Sequence, residues 1–238
     1  MKRNRAEKQS RKTRDNVVQI EKFAHERKLP PIKAKTPKQA EYMEAIRTSE
    51  QVICVGPAGV GKSFLPGSYA ADALRENRVE KVILIRPNVS CGKSLGYMPG
   101  TLEEKYLPWL APLTEPMKER MGAAAFDIAV KSGRIELLPL EIARGRSFRD
   151  CLVLADEVQN LTAHEAKMLL TRTGENCQMI LTGDMSQSDI HGQSGLSVMI
   201  RLVKRHMLPV PIIEFTDADI VRSDLTAMWV KAFFKDGL

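Results

Sequence analysis

Apolar runs of strand length recur along the chain at QVICVG (51–56), KVILIRP (81–87), RIELLPL (134–140), CLVLAD (151–156), QMILTG (178–183) and PIIEF (211–215). They are nearly continuous in Val, Ile and Leu rather than alternating, which predicts strands buried on both faces. Amphipathic stretches of helical length lie between several of them, at 62–76, 162–171, 194–204 and 223–234. Strands alternating with helices predict an α/β fold, a parallel sheet with helices on both faces. In such sheets the ligand sits beyond the carboxyl ends of the strands. One region breaks the rhythm: residues 88–133 contain Gly92, Gly96, Pro99, Gly100, Pro108, Pro112 and Pro116 and are long for a crossover. A helical insertion is expected there, in the kind of segment where substrate contacts tend to lie.

The segment GPAGVGKS, Gly56 to Ser63, follows an apolar strand and precedes a helix. That context makes it a complete phosphate-binding loop rather than a glycine-rich turn that merely caps a helix. Gly56, Gly59 and Gly61 let backbone N–H groups turn inward around phosphate oxygens, with Pro57, Ala58 and Val60 completing the loop and Phe64 following it. Lys62 would reach the β- and γ-phosphates and the Ser63 hydroxyl would bind Mg²⁺. A second metal anchor is required at the end of a buried strand, and CLVLADE supplies it. Asp156 would hold Mg²⁺ through water, and Glu157 would orient and deprotonate the attacking water. The bland alternative for this pair is two acids placed to favour a helix N-terminus. A third strand, QMILTGD, ends in Thr182, Gly183 and Asp184, with Gln187 three positions on. These residues either sense the γ-phosphate or form an ordinary Asx turn.

Charge sharpens the picture through its distribution. The 238 residues carry a net +7, from 36 basic and 29 acidic side chains. Residues 1–35 hold twelve of the basic and four of the acidic ones, so 24 and 25 remain in 36–238, a net of −1. The excess therefore lies wholly in an N-terminal arm, which is either a solvated tail or a contact for a polyanion. The basic start lacks a following apolar region, and no run of membrane-spanning length exists, so neither a secretory signal nor a membrane protein is expected. Cys54, Cys91, Cys151 and Cys177 and the histidines His25, His164, His191 and His206 show no metal-ligand spacing. They read as reduced cysteines and isolated histidines of a cytoplasmic protein.

The order of GPAGVGKS, RPNVSCGKSLGYMPG, ARGRSFRDCLVLADEVQN, MLLTRTGENCQMILTGDMSQSDI and DADIVR resembles the PhoH family, single-domain relatives of the superfamily 1 helicase motor. The likeness runs from Thr36 to Phe234 and implies a RecA-like P-loop ATPase domain over 36–238, behind the basic arm of 1–35. It further implies that Gln39 reads adenine, favouring ATP, although Gln39 also fits the surface of an amphipathic helix. Asp156, Glu157 and Gln159 match the family's DEAQ, and Thr182, Gly183, Asp184 and Gln187 match its TGDxxQ. Arg222 matches a candidate transition-state clamp, or is a surface charge at a helix start. Arg144 and Arg146 match a basic pair, and Arg86 and Pro87 match a segment that would touch a nucleic-acid strand by helicase analogy. Asn88, Ser90 and Lys93 depart from the usual Ala, Glu and Glu, Val158 replaces Ala, and Ser223 replaces His. Tyr97, Tyr106 and Trp109 could stack bases, with apolar packing the favoured reading. Nothing resembles the nuclease domain of some longer relatives.

Superfamily 1 helicases close two motor domains on one ATP, and this sequence carries one. The missing face, with its arginine, is expected from another copy's Arg222 in a head-to-tail ring, a homo-oligomer that the resemblance makes a hexamer. An arginine supplied in this way is worth ~10³ to 10⁵ in rate, so a lone subunit should hydrolyse slowly. The expected function is Mg²⁺-dependent ATP hydrolysis coupled to remodelling or unwinding of single-stranded nucleic acid, with RNA taken ahead of DNA. A nucleotide-gated binding protein with slow turnover and no unwinding is the alternative. A small-molecule kinase is disfavoured by Glu157 and by the TGD segment with Gln187.

Overall fold

The apolar runs form one six-stranded sheet: β1 (Gln51–Val55), β2 (Lys81–Ile85), β3 (Ile135–Leu137), β4 (Cys151–Ala155), β5 (Cys177–Gly183) and β6 (Ile212–Glu214). Their order across the sheet is β3-β2-β4-β5-β1-β6, and every pairing is parallel. This computed structural model describes residues 29–87, 106–190 and 192–221, together with 228, 229 and 232. The basic arm before residue 29, the segment with Asn88, Ser90, Cys91, Lys93 and Tyr97, and His191, Arg222 and Ser223 lie outside the described residues. So does most of the 223–234 stretch.

The period-two geometry of a strand sends successive side chains to opposite faces, and here each face has its own core. Val52, Cys54, Val82, Leu84, Leu152, Leu154 and Ile180 point to one side. They meet Tyr42 and Ile46 of α1 (Pro37–Thr48), Leu65 and Leu74 of α2 (Phe64–Arg75), Leu113 and Met117 of α3 (Ala111–Met121), and Phe126 of α4 (Ala123–Lys131). Ile53, Val55, Ile83, Ile85, Val153, Ala155, Met179 and Leu181 point to the other. There they meet Ala143 of α5 (Leu140–Ala143), Ala166 and Leu169 of α6 (Ala163–Leu170), and Leu196 and Met199 of α7 (Gly195–His206). Met168 and Leu170 pack beside Leu169, so that stripe is core. Helices therefore cover both faces, as continuous apolar strands require.

Two details depart from the sequence reading. The expected helix at 62–76 begins at Phe64, because Lys62 and Ser63 stay in the loop that precedes it. The unusual stretch is helical where it is described: a 3-10 turn at Leu107–Leu110 runs into α3, which contains Pro116, and then α4. The helix α3 lies against α2 at very close range. A Cβ on Gly67 would sit 2.7 Å from the Leu113 carbonyl oxygen, so the absence of a side chain sets that approach. Among the described residues no helix is long and apolar enough to cross a membrane.

The outer strand β3 is tied down by charge. Glu136 pairs with Arg146 and with Lys81 of β2, and Arg146 leads its effect in holding the Glu136 carboxyl down at about 2, against an ordinary 4.5. One member of the ARGRS basic pair is thus a structural partner, while Arg144 is exposed. A depressed carboxyl adds stability above its unfolded value and loses it as pH falls through its folded value. The wild type is therefore expected to lose stability between pH about 4.5 and about 2 more steeply than Glu136→Gln. Urea unfolding across that window checks it, and identical pH slopes would refute it.

Candidate active site

The strand β1 ends at Val55 between β5 and β6, and the chain then turns sharply. Phe215 donates its N–H to the Val55 carbonyl at 2.8 Å, bringing the chain beyond β6 against the turn. A Cβ on Gly56 would lie 2.6 Å from Phe215 Cβ and 2.9 Å from its carbonyl oxygen, so this first loop position admits only glycine. Gly59 and Gly61 take φ of +88° and +94°, in the left-handed region that glycine visits at no steric cost. Pro57 and Val60 are buried, Ala58 is half-buried, and Phe64 at the start of α2 is 45% exposed. Lys62 folds back over the loop, its Nζ donating to the carbonyls of Gly56 and Pro57 at 2.5 and 2.7 Å.

Helix α1 grips the loop from behind. Thr36 caps it by accepting from the Gln39 N–H at 3.1 Å. Gln39 is 3% exposed; its Nε2 donates to the Val60 carbonyl at 2.9 Å and its Oε1 accepts from the Lys35 N–H at 2.8 Å. Both ends of this amide are engaged by backbone, so Gln39 is a brace for the loop in this structure. Tyr42 donates its hydroxyl to the Lys62 carbonyl at 3.2 Å, and burial pushes this phenol up, keeping it a donor.

The acids arrive from β4, two strands away across β5. Asp156 is 2% exposed. Its Oδ1 accepts from Ser63 Oγ at 3.0 Å and from Thr182 Oγ1 at 2.5 Å, joining the phosphate loop, β4 and β5 through one oxygen. Its Oδ2 is buried with no hydrogen-bond partner, and Nη1 of Arg86 lies 3.9 Å away. An unpaired buried carboxylate oxygen is costly. Beside a serine hydroxyl and a phosphate loop it fits a hydrated Mg²⁺, which is held by one or two carboxylates, water and phosphates. Ser63 and Asp156 are the residues that would hold it.

Glu157 stands in the left-handed region, with φ 56° and ψ 37°. Such strain in a non-glycine residue costs about 1–3 kcal/mol and persists only where the surroundings enforce it. Its Oε2 accepts from Gln159 Nε2 at 2.5 Å, and Arg86 Nη2 lies 3.4 Å from its Oε1. Gln159 is the hub of this end of the sheet. Its Oε1 accepts from the Asp184 N–H at 3.1 Å, its Nε2 also reaches the Gln187 carbonyl at 3.3 Å, and its own carbonyl accepts from Ser194 Oγ at 2.7 Å. Gly183 has no side chain because a Cβ there would come within 2.8 Å of Gln159 Oε1. Asp184 forms the Asx turn, accepting from the Ser186 N–H at 3.0 Å, and holds Gln187 Nε2 at 2.9 Å. Arg222 lies outside the described residues; before it, Val221 donates to the Gly59 carbonyl at 3.1 Å. Tyr106 is buried within the core, as apolar packing requires, and Trp109 is half-buried.

The structure thus gathers Lys62, Ser63, Asp156 and Glu157 at one edge of the sheet. Sequence reasoning missed the link from Thr182 to Asp156 and the position of Arg86 across both acids, since neither has a signal without the strand order.

The family profile described as PhoH-like protein matches residues 31–234. The chain belongs to the PhoH-like family. The PhoH-like protein of Bacillus subtilis (strain 168) is 40% identical over 206 residues, 86% of this chain and 64% of that relative. Protein PhoH of Escherichia coli (strain K12) is 34% identical over 211 residues, 87% of this chain and 59% of its own. This PhoH-like chain thus spans less than two thirds of the length of these relatives. In fold it is similar to the large terminase from a thermophilic bacteriophage, with a TM-score of 0.51 and 13% identity over 84% of this chain and 49% of that one. The PhoH-like chain is a RecA-like P-loop NTPase in fold, with its parallel sheet covered on both faces.

The Asp156 knot makes a direct prediction. Thr182→Val keeps the shape and removes a hydrogen bond to a buried carboxylate, so unfolding free energy should drop by about 1.5–3 kcal/mol, with Thr182→Ser close to wild type. Urea denaturation measures it, and a Thr182→Val midpoint equal to wild type would show that the bond contributes nothing.

Proposed function

We propose that this chain hydrolyses ATP with Mg²⁺ and couples the cycle to binding and remodelling single-stranded nucleic acid, as a ring of identical subunits in the cytoplasm. The observation that carries the reading is the Oδ2 of Asp156, buried without a hydrogen bond and 3.9 Å from Arg86 Nη1, on the same carboxylate as the oxygen that binds Ser63. When bound, Mg²⁺ supplies Lewis-acid stabilisation of charge on the phosphate oxygens. The loop from Gly56 to Phe64 cradles the phosphates with its N–H groups. Lys62, whose ammonium now rests on the Gly56 and Pro57 carbonyls, exchanges those neutral acceptors for β- and γ-phosphate oxygens, which bind a cation more strongly. Glu157 takes the proton of the attacking water. Gln187, tied through Asp184 and Gln159 to Glu157, reports the state of the γ-phosphate to the rest of the domain. Gln39 keeps one amide hydrogen and one lone pair for adenine while bracing Val60, which favours ATP.

The ring is proposed because a phosphate loop needs a facing arginine to turn over quickly, and a neighbouring copy would supply it. Arg222 is the residue proposed for that charge clamp, with RNA taken ahead of DNA as the strand bound. One observation favours a second arrangement for this arginine. Val221 bonds the Gly59 carbonyl of its own loop, so the chain passes its own nucleotide site immediately before position 222.

Turnover and binding are expected to separate cleanly. Glu157→Gln should lower the ATP turnover rate by about 10²- to 10⁴-fold while ATP still binds, and Lys62→Ala should weaken both. Phosphate-release assays beside nucleotide titrations test this, and a Glu157→Gln enzyme with full activity would remove Glu157 as the base. Mass measurement in solution with ATP and Mg²⁺ tests the ring: a monomer that hydrolyses at full rate rules it out. Mixing Lys62→Ala with Arg222→Ala subunits decides the arginine. Restored activity places Arg222 in the neighbour's site, and none places it in its own.

A further inference from the structure

We propose that Arg86 gates hydrolysis, holding Glu157 back from water until the phosphodiester backbone of a single strand draws the guanidinium away. This rests on the nucleic-acid-coupled ATPase reading above and adds its regulation.

Arg86 follows the last residue of β2, and the neighbouring strand is β4, whose next residues are the two acids. Ile85 is in register with Ala155, and Asp156 donates its N–H to the Ile85 carbonyl at 2.9 Å. The Arg86 side chain starts one strand spacing from the acids and lies across them. Nη2 is 3.4 Å from Glu157 Oε1 and Nη1 is 3.9 Å from Asp156 Oδ2. The other Glu157 oxygen takes Gln159 Nε2 at 2.5 Å. Each oxygen already accepts a charged or an amide donor, so a water bound there has to share the carboxylate with it. The base is present but engaged.

The other side of Arg86 faces the 106–131 helical region. Nη1 donates to the Trp109 carbonyl at 2.8 Å. The Tyr106 hydroxyl accepts from the Arg86 N–H at 2.6 Å and donates to the Arg86 carbonyl at 2.7 Å; burial pushes that phenol up, so it keeps the proton it donates. The backbone of Arg86 is clamped while its side chain stays 22% exposed, so the guanidinium is the part that can move. One residue thereby touches the catalytic acid, the metal-site acid and the backbone of the insertion.

The exchange is balanced in charge. A guanidinium presents the same fork to a phosphodiester as to a carboxylate, so leaving Glu157 for a strand phosphate keeps Arg86 paired with one negative charge. Glu157 is returned to water at the moment a strand is present. The contact given up is long and partly open to solvent, the class of ion pair that is easily exchanged. A strand offers many phosphates at once and gains entropy by releasing its counterions, which drives the exchange further.

The test is ATP turnover by the full chain as wild type, Arg86→Ala and Arg86→Lys, with no polymer, with single-stranded uridine homopolymer RNA and with single-stranded thymidine homopolymer DNA. Arg86→Ala should raise polymer-free turnover by about 5-fold, or ~1 kcal/mol on the barrier, and bring the stimulated-to-basal ratio toward one. Arg86→Lys should fall between the two, and adding Glu157→Gln to Arg86→Ala should abolish the gain, since the gain passes through that carboxylate. A purely structural role, or a direct charge-clamping role, predicts the opposite sign. Polymer-free turnover that is unchanged or lower in Arg86→Ala therefore overturns the gate, whatever happens to stimulation. If Arg86→Ala does not fold by circular dichroism, Arg86→Gln, neutral and of similar length, carries the same comparison. A wild type stimulated by neither polymer would instead defeat the nucleic-acid coupling itself, and the two polymer arms tell which strand opens the gate.

Discussion

The structure depends on one buried carboxylate. Asp156 stands at the end of β4 with 2% of its surface exposed, and its Oδ1 binds a hydroxyl from the phosphate loop and a hydroxyl from β5. A charge in that position is tolerated only when it is paired, hydrogen-bonded or bound to metal. Ser63 and Thr182 satisfy one oxygen and leave the other without a hydrogen bond. Three strand ends are thus fixed around one carboxylate, whose second oxygen lies 3.9 Å from Arg86 Nη1, and Ser63 and Asp156 are the residues that would hold a divalent cation.

Much of the surrounding geometry follows from keeping that carboxylate and its neighbour in place. Glu157 takes a left-handed backbone, and Gln159, two residues on, reaches Asp184 and Gln187. The glycine at position 183 and the serine at 194 make sense in the same light. One leaves room for the Gln159 amide and the other satisfies its carbonyl. A change at the nucleotide end has a continuous hydrogen-bonded route to the loop after β5 and the start of α7. On the opposite side the route runs through Arg86 to Tyr106 and Trp109, residues that no motif connects to the acids.

The six strands were legible because continuous Val, Ile and Leu runs have few other uses in a chain of this length; the largest error was at β3, whose run was read to 140 and whose strand ends at Leu137. The phosphate loop was legible because its eight residues are consecutive and Gly59 and Gly61 answer to left-handed turns, whereas the pressure of Phe215 on Gly56 comes from strand pairing. The role of Gln39 was harder to read. An amphipathic helix places a glutamine on its surface as readily as under a loop, and only the packing of α1 behind the phosphate loop buries this one. Arg146 was read as part of a basic motif, whereas its partner Glu136 stands ten residues before it on an edge strand.

The sequence by itself determined the elements, the phosphate loop, the acids at positions 156 and 157 and the family, because each rests on residues close together in the chain or on a pattern of fixed period. Tertiary structure alone decided which strand ends lie side by side. The order β2-β4-β5-β1 places Arg86 next to Glu157 and Thr182 next to Asp156, across separations of 71 and 26 residues. Those neighbours arise from strand order, which helix and strand periodicities do not encode. The contacts that constrain the two acids therefore appear only once the sheet is assembled.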